Sequence, residues 1–196
     1  MARAKWTKSS RKPHICGRGH EIPVGEGYYS AAPGFRGRTL YRCQAHPFRP
    51  SELTIGMRAA PLSALEALED AIPELGADGY DRADDYDSLR SAVEEFASEI
   101  RSYAEDRRYA LDEWPNGNSM LEELQYTAEQ AADEAESIAD DIEEFDIEEP
   151  ERADYADGED GQGEWTDAYE QWDADRDQHW EDTVEAAMDA AQSIEF

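Results

Sequence analysis

From Tyr86 to Phe145 the chain reads YDSLRSAVEEFASEIRSYAEDRRYALDEWPNGNSMLEELQYTAEQAADEAESIADDIEEF. Tyr86, Leu89, Val93, Phe96, Ile100, Tyr103, Arg107, Ala110 and Trp114 follow one another in alternating steps of three and four. That spacing lines one face of a helix and, sustained over several turns, makes a heptad seam for a second helix. Trp114-Pro-Asn-Gly-Asn118 breaks the pattern, because proline and the Asn-Gly pair favour a turn. Ser119 with Glu122 three residues later is a capping box that starts the next helix. A second stripe then runs through Leu121, Leu124, Ala128, Ala131, Ala135, Ile138, Ile142 and Phe145. Two long helices joined by so short a turn pack antiparallel. Folding at residues 115–118 sets Ile100 near Ala135, Tyr103 near Ala131 and Phe96 near Ile138, so that large side chains meet small ones.

This agreement between pattern, cap, turn and packing overrides the composition. The chain has 196 residues, with 48 acidic and 18 basic side chains and a formal charge of −30. Leu, Ile, Val and Phe number 27, and 29 residues are alanine. So few large apolar residues with so much charge is a signature of disorder, and it argues against a large enzyme core. No apolar run approaches the roughly 18 residues of a membrane span, and the basic start Met1–Lys12 is not followed by an apolar signal core. The expectation is a soluble, non-secreted protein without membrane contact.

Around the hairpin, Leu62, Leu65, Leu68 and Ile72 mark a short leading helix that ends near Pro73. Residues 148–164 combine Pro150 and three glycines with acids and read as a linker. Trp165, Tyr169, Trp172, Arg176, Trp180, Val184, Ala187, Ala191 and Ile194 give a last helix. It is expected either to dock on the hairpin or to present Trp165, Trp172 and Trp180 to a protein partner, since tryptophans anchor interfaces. His179 is expected to face solvent. The acid-rich segments at 157–161 and 173–177 do not match a calcium-binding loop.

The charge is divided. Residues 1–58 carry eleven basic side chains against Glu21, Glu26 and Glu52, a net charge of +8, and the rest of the chain carries −38. All three lysines lie within the first twelve residues. A halophilic adaptation would make the body acidic and lysine-poor without any binding role, but it leaves the basic head unexplained. The opposed charges suggest separate partners for the two parts, or contact between them within one chain or between copies in a homo-oligomer.

Both cysteines lie in the head, as Cys16-Gly-Arg-Gly-His20 and Cys43-Gln-Ala-His46. Two short pairs of thiolate and imidazole ligands separated by 22 residues fit one structural zinc ion (Zn2+) held tetrahedrally by Cys16, His20, Cys43 and His46. Gly17 and Gly19 allow the tight turn of a knuckle. His14 is an alternative to His20, and a disulfide is the alternative to the metal. Four candidate ligands without a histidine-and-acid pattern on a helix favour structure over catalysis, so no catalytic residue is expected. Residues 27–31 and 38–42 read as two strands around a turn at Pro33–Gly37. They interleave Tyr29 and Tyr41 with Arg36, Arg38 and Arg42, a pattern suited to stacking on bases and binding phosphate. One face of the alternating aromatics is also expected to form the small core over the metal.

The knuckle pair, Gly25-Glu-Gly-Tyr-Tyr29, Tyr41-Arg-Cys-Gln-Ala-His46 and Arg49-Pro-Ser-Glu-Leu-Thr54 resemble a family of uncharacterised small zinc-binding proteins of tailed viruses of bacteria and archaea. In those relatives a similar head precedes an acidic helical region, and a second cysteine more often stands at the position of His20. The resemblance covers residues 14–55. It implies a viral origin, with the infected cell's cytoplasm or the virion as location, and implies no activity.

The expected fold is mainly α: a small zinc-ribbon or treble-clef-like β-hairpin head, an antiparallel coiled-coil helical hairpin and a third, C-terminal helix. Its divisions are a basic flexible arm (1–13), the head (14–58), an acidic hairpin domain with a short leading helix (59–147), an acidic linker (148–164) and the last helix (165–196). The functional expectation is a non-enzymatic viral accessory or structural protein, its head binding nucleic acid or an acidic partner and its body binding protein. The alternative is a DNA mimic that inhibits a host nucleic-acid-binding protein.

Overall fold

The computed structural model describes residues 2–33, 38–75, 82–114, 119–154 and 159–196. Residues 34–37 of the turn expected at Pro33–Gly37, Arg36 among them, and the turn expected at 115–118 lie outside the described residues. The chain is mainly α, with a small antiparallel β head, as expected. Strands β1 (Lys5–Thr7), β4 (Tyr28–Ala31) and β5 (Leu40–Cys43) form a three-stranded sheet in the order β1-β4-β5. Strands β2 (His14–Ile15) and β3 (Glu21–Ile22) form a separate two-stranded ladder. The α-helices among the described residues are α1 (Pro50–Leu53), α2 (Ala59–Ala71), α3 (Arg82–Glu113), α4 (Ser119–Asp140) and α5 (Glu159–Ser193). No helix among the described residues is long and apolar enough to cross a membrane.

The heptad reading holds in the middle of the hairpin. Leu89, Val93 and Ile100 are fully buried on α3, as are Ala132 and Ala135 on α4. Arg101 fixes the register, donating from Nε to Glu136 and from Nη2 to Asp133, each at 2.7 Å. This is where a turn at 115–118 puts it, one residue from Ile100 and on either side of Ala135. Both ends of the stripe depart from the expectation. Trp114 is exposed, because the seam ends where α3 does. Helix α4 stops at Asp140, so Ile142 and Phe145 reach the core from the non-helical segment that follows it.

Two further divisions need correction. The basic arm is not free: β1 pairs with β4, with Lys5 opposite Ser30 and Trp6 opposite Tyr29, and the Ala2 amide donates to the Leu53 carbonyl. The alternation Lys-Trp-Thr gives these residues strand character that the basic composition hid. The linker is also shorter than 148–164, since Arg152–Asp154 make a 3-10 turn and α5 begins at Glu159.

Helix α5 docks on the body. Trp180 is buried among the core residues and its ring stands edge-on to Tyr86 at 5.1 Å. Indole Nε1 of Trp172 donates to the Ile147 carbonyl and that of Trp165 to the Pro150 carbonyl. The three tryptophans expected at a partner interface therefore hold the chain's own 147–150 segment and core, which is the docking alternative. His179 is half-buried, with Nδ1 2.7 Å from the Tyr86 hydroxyl. It sits beside Trp180 on a helix face that turns inward, so the expectation of a solvent-facing side chain is corrected.

The head is tied to α2 through α1. The buried carboxylate of Glu66 accepts from the Ser51 amide at 2.8 Å and from its hydroxyl at 2.6 Å. Arg49 bonds the Glu66 carbonyl and pairs with Asp70. Burying Glu66 would be costly without these donors.

Candidate metal centre and basic head

Both knuckles close by backbone hydrogen bonds. The Gly19 amide donates to the Cys16 carbonyl at 2.7 Å, with Gly19 at φ 85°, and the His46 amide donates to the Cys43 carbonyl at 3.1 Å. The first loop is locked further by the Cys16 amide on the His20 carbonyl and the Gly17 amide on the Tyr41 carbonyl. These turns bring three ligand atoms together. Cys16 Sγ, Cys43 Sγ and a His46 ring nitrogen lie within 4.8 Å of one another, close enough to hold a metal ion, and Cys43 Sγ is 3.1 Å from His46 Nδ1. Metal–ligand bonds of about 2.0–2.3 Å place tetrahedral ligand atoms about 3.3–3.8 Å apart, a range that the 3.1 Å and 4.8 Å limits of the cluster bracket.

The sequence also names His20 and His14. His20 does not join the three-residue cluster. Its exposed ring stands edge-on to that of His46, with centroids 4.5 Å apart. His14 is engaged elsewhere, stacked on Tyr41 at 4.0 Å and tilted against Tyr28 at 4.8 Å. Of the two, His20 is the one beside the cluster.

Burial pushes the Cys16 thiol up. The amide hydrogens of Arg18 and Cys43 and the side chains of Cys43 and Arg42 outweigh it, and the thiol lies below its ordinary value. Thiolate character is what a metal ligand requires. Arg42 reaches this position because Gly17 lacks a side chain: a Cβ there would collide with the guanidinium. The same guanidinium pairs with Glu52, whose carboxylate also accepts the Arg49 amide at 3.1 Å. Arg42 is thus corrected from a nucleic-acid residue to an internal brace, since it is buried between the knuckle and α1.

The sheet has two faces. Tyr28, Tyr41 and Cys43 share one with His14 and the fully buried Ile22 of the small ladder, which forms the core beside the metal ligands. Tyr41, expected at a nucleic-acid surface, is half-buried in a stack with His14. Trp6, Tyr29, Ala31, Leu40 and Arg42 share the other face, where Ala31 and the Glu52-paired Arg42 are buried while Trp6 and Leu40 are 43% and 39% exposed. Arg38 is exposed beside it. Sequence reasoning missed Trp6 by treating residues 1–13 as an arm; the signal was its alternation with Lys5 and Thr7.

No protein-family model matches the chain, and no curated protein and no solved structure matches it.

Proposed function

We propose that this is a non-enzymatic binding protein in which a zinc-clamped basic head engages nucleic acid and an acidic helical body engages protein. The division of the head's cations carries the reading. Arg42 and Arg49 are taken up by Glu52 and by α2, whereas Arg3, Lys5, Lys8, Lys12, Arg18 and Arg38 are exposed. Cations presented to solvent on a rigid module draw a polyanion by releasing its counterions.

Zinc as the ion rests on the pairing of two thiolates with imidazole, a donor set that suits it. His20 is the proposed fourth ligand, which closes the site and makes the ion structural. A cluster held inside two backbone-bonded turns supports that role. The resemblance of residues 14–55 to proteins of tailed viruses supports a viral accessory or structural protein, acting in the infected cell or carried in the virion.

Fluorescence anisotropy of labelled DNA and RNA oligonucleotides with the zinc-loaded full chain tests the nucleic-acid half. Binding at low salt that weakens log-linearly with salt, by about 0.7–0.9 per phosphate neutralised, is the expected result. An absence of binding at low salt overturns it.

A further inference from the structure

The face of the head sheet that carries Trp6 and Tyr29 is covered at Arg42 and Ala31 and open at Trp6 and Leu40. Trp6 and Tyr29 are directly opposed in the β1–β4 register, and their rings lie 4.6 Å apart at 52°. The seat of the indole is Gly27, where a Cβ would lie 2.5 Å from ring atoms of Trp6. A glycine at that point lets a large ring lie close over the strand, yet Trp6 remains 43% exposed. Leu40, 39% exposed, extends the same face on β5. Lys8 follows Trp6 by two residues and Arg38 precedes Leu40 by two, and both are exposed. Other aromatics of the head, Tyr28 and Tyr41, are engaged with His14 on the opposite face.

We propose that this face binds single-stranded nucleic acid, with bases stacking on Trp6 and Tyr29 and phosphates held by Lys8 and Arg38. This deepens the nucleic-acid reading above and rests on it. A strand with unpaired bases offers ring faces to an aromatic surface, whereas the bases of a duplex are already stacked on each other. The basic surround selects a polyanion over an apolar protein surface, and stacking tolerates any base, so the ligand class is a single strand of DNA or RNA without sequence preference.

The test uses the zinc-loaded full chain with a labelled oligothymidine, a duplex of the same length, an abasic backbone of the same length, and polyglutamate as competitor. The oligothymidine should bind at least about tenfold more tightly than the duplex or the abasic strand. Trp6→Ala should weaken it about 5- to 150-fold without altering the salt dependence, and Trp6→Phe should restore most of the loss. Lys8→Ala should instead make the salt slope shallower by about one. Because removing the indole empties the Gly27 seat, Tyr29→Leu repeats the test with that seat filled, and circular dichroism of each variant verifies the fold. Equal affinity for duplex and single strand, or unchanged binding by Trp6→Ala and Tyr29→Leu, overturns the stacking inference and leaves the basic-head reading standing. Displacement by polyglutamate at equal charge assigns the face to an acidic protein and overturns it as well. Failure of every oligonucleotide to bind at low salt removes both readings.

Discussion

Arg42 and Glu52 form a two-point ion pair beneath the first knuckle, with Nη2 on Oε1 and Nε 3.3 Å from Oε2. The pair connects the Cys16 ligand loop to α1, and α1 in turn bonds α2 through Ser51 and Glu66. The candidate metal ligands are thereby joined to the helical body by a continuous run of charge-assisted hydrogen bonds. Removing one partner leaves the other charge largely buried, which costs about 3–5 kcal/mol in a fully buried pair and less here because Glu52 keeps 25% of its side-chain exposure. Arg42→Met is expected to lower metal affinity about 10- to 100-fold, as loss of a group bonded to a ligand does. Competition with a chromophoric chelator measures it; unchanged affinity would show that the brace does not reach the ligand.

The hairpin seam rests on large-to-small packing. Ile100 is fully buried opposite alanine-rich α4, so Ile100→Ala should destabilise the body by about 2–5 kcal/mol. Ala135→Leu should cost about 1–3 kcal/mol by overfilling the same layer. Urea unfolding followed by circular dichroism reads both, and near-neutral values for the two together would mean that the seam is not where the register places it.

The two tryptophans on one face of α5 should separate in effect. Trp180 lies within the core, and Trp180→Ala is expected to cost about 3–5 kcal/mol. Trp172 is partly exposed and gives one hydrogen bond to Ile147, so Trp172→Phe should cost about 0.5–1.5 kcal/mol. Thermal melts of the two variants decide whether α5 is docked; equal and small effects would return α5 to the role of an interface helix.

The fold was largely readable in the sequence because the hairpin repeats one periodic message over sixty residues, and a period survives composition that is otherwise unfavourable. Boundaries were harder to read. The end of α4 at Asp140 escaped detection because Ile142 and Phe145 continue the stripe by spacing while leaving the helix. In the head, Cys16, Cys43 and His46 declared themselves by residue type and spacing, since chemistry narrows the options for cysteine and histidine. The arginines did not. Whether Arg42 faces solvent or braces a knuckle depends on Gly17 and Glu52, neither of which is adjacent to it, and the strand at Trp6 depends on pairing with Tyr29 more than twenty residues away.

Arg101 supplies a pH test. Its guanidinium holds Glu136 below the ordinary carboxylate value, and the arginine itself is raised by the same bonds. Glu136 binds its proton more weakly when folded, so the pair stabilises the hairpin fully above about pH 4.5 and loses that contribution as pH falls through the depressed value. Both carboxylates facing Arg101 are substantially exposed, which limits the pair to about 1 kcal/mol or less. A double-mutant cycle on Arg101→Met and Glu136→Gln should give a coupling at pH 7 that falls as the pH is lowered through the acid range until Glu136 is protonated in the folded chain; a coupling that persists once Glu136 is protonated would contradict the assignment.

X-ray absorption at the zinc edge of the purified full chain, together with its metal content, addresses the clamp itself. One zinc per chain with two sulfur ligands at about 2.3 Å and two nitrogen ligands at about 2.0 Å, falling to one nitrogen in His20→Ala, is the predicted result. A metal-free chain carrying a Cys16–Cys43 disulfide, or zinc coordinated without sulfur, would contradict it.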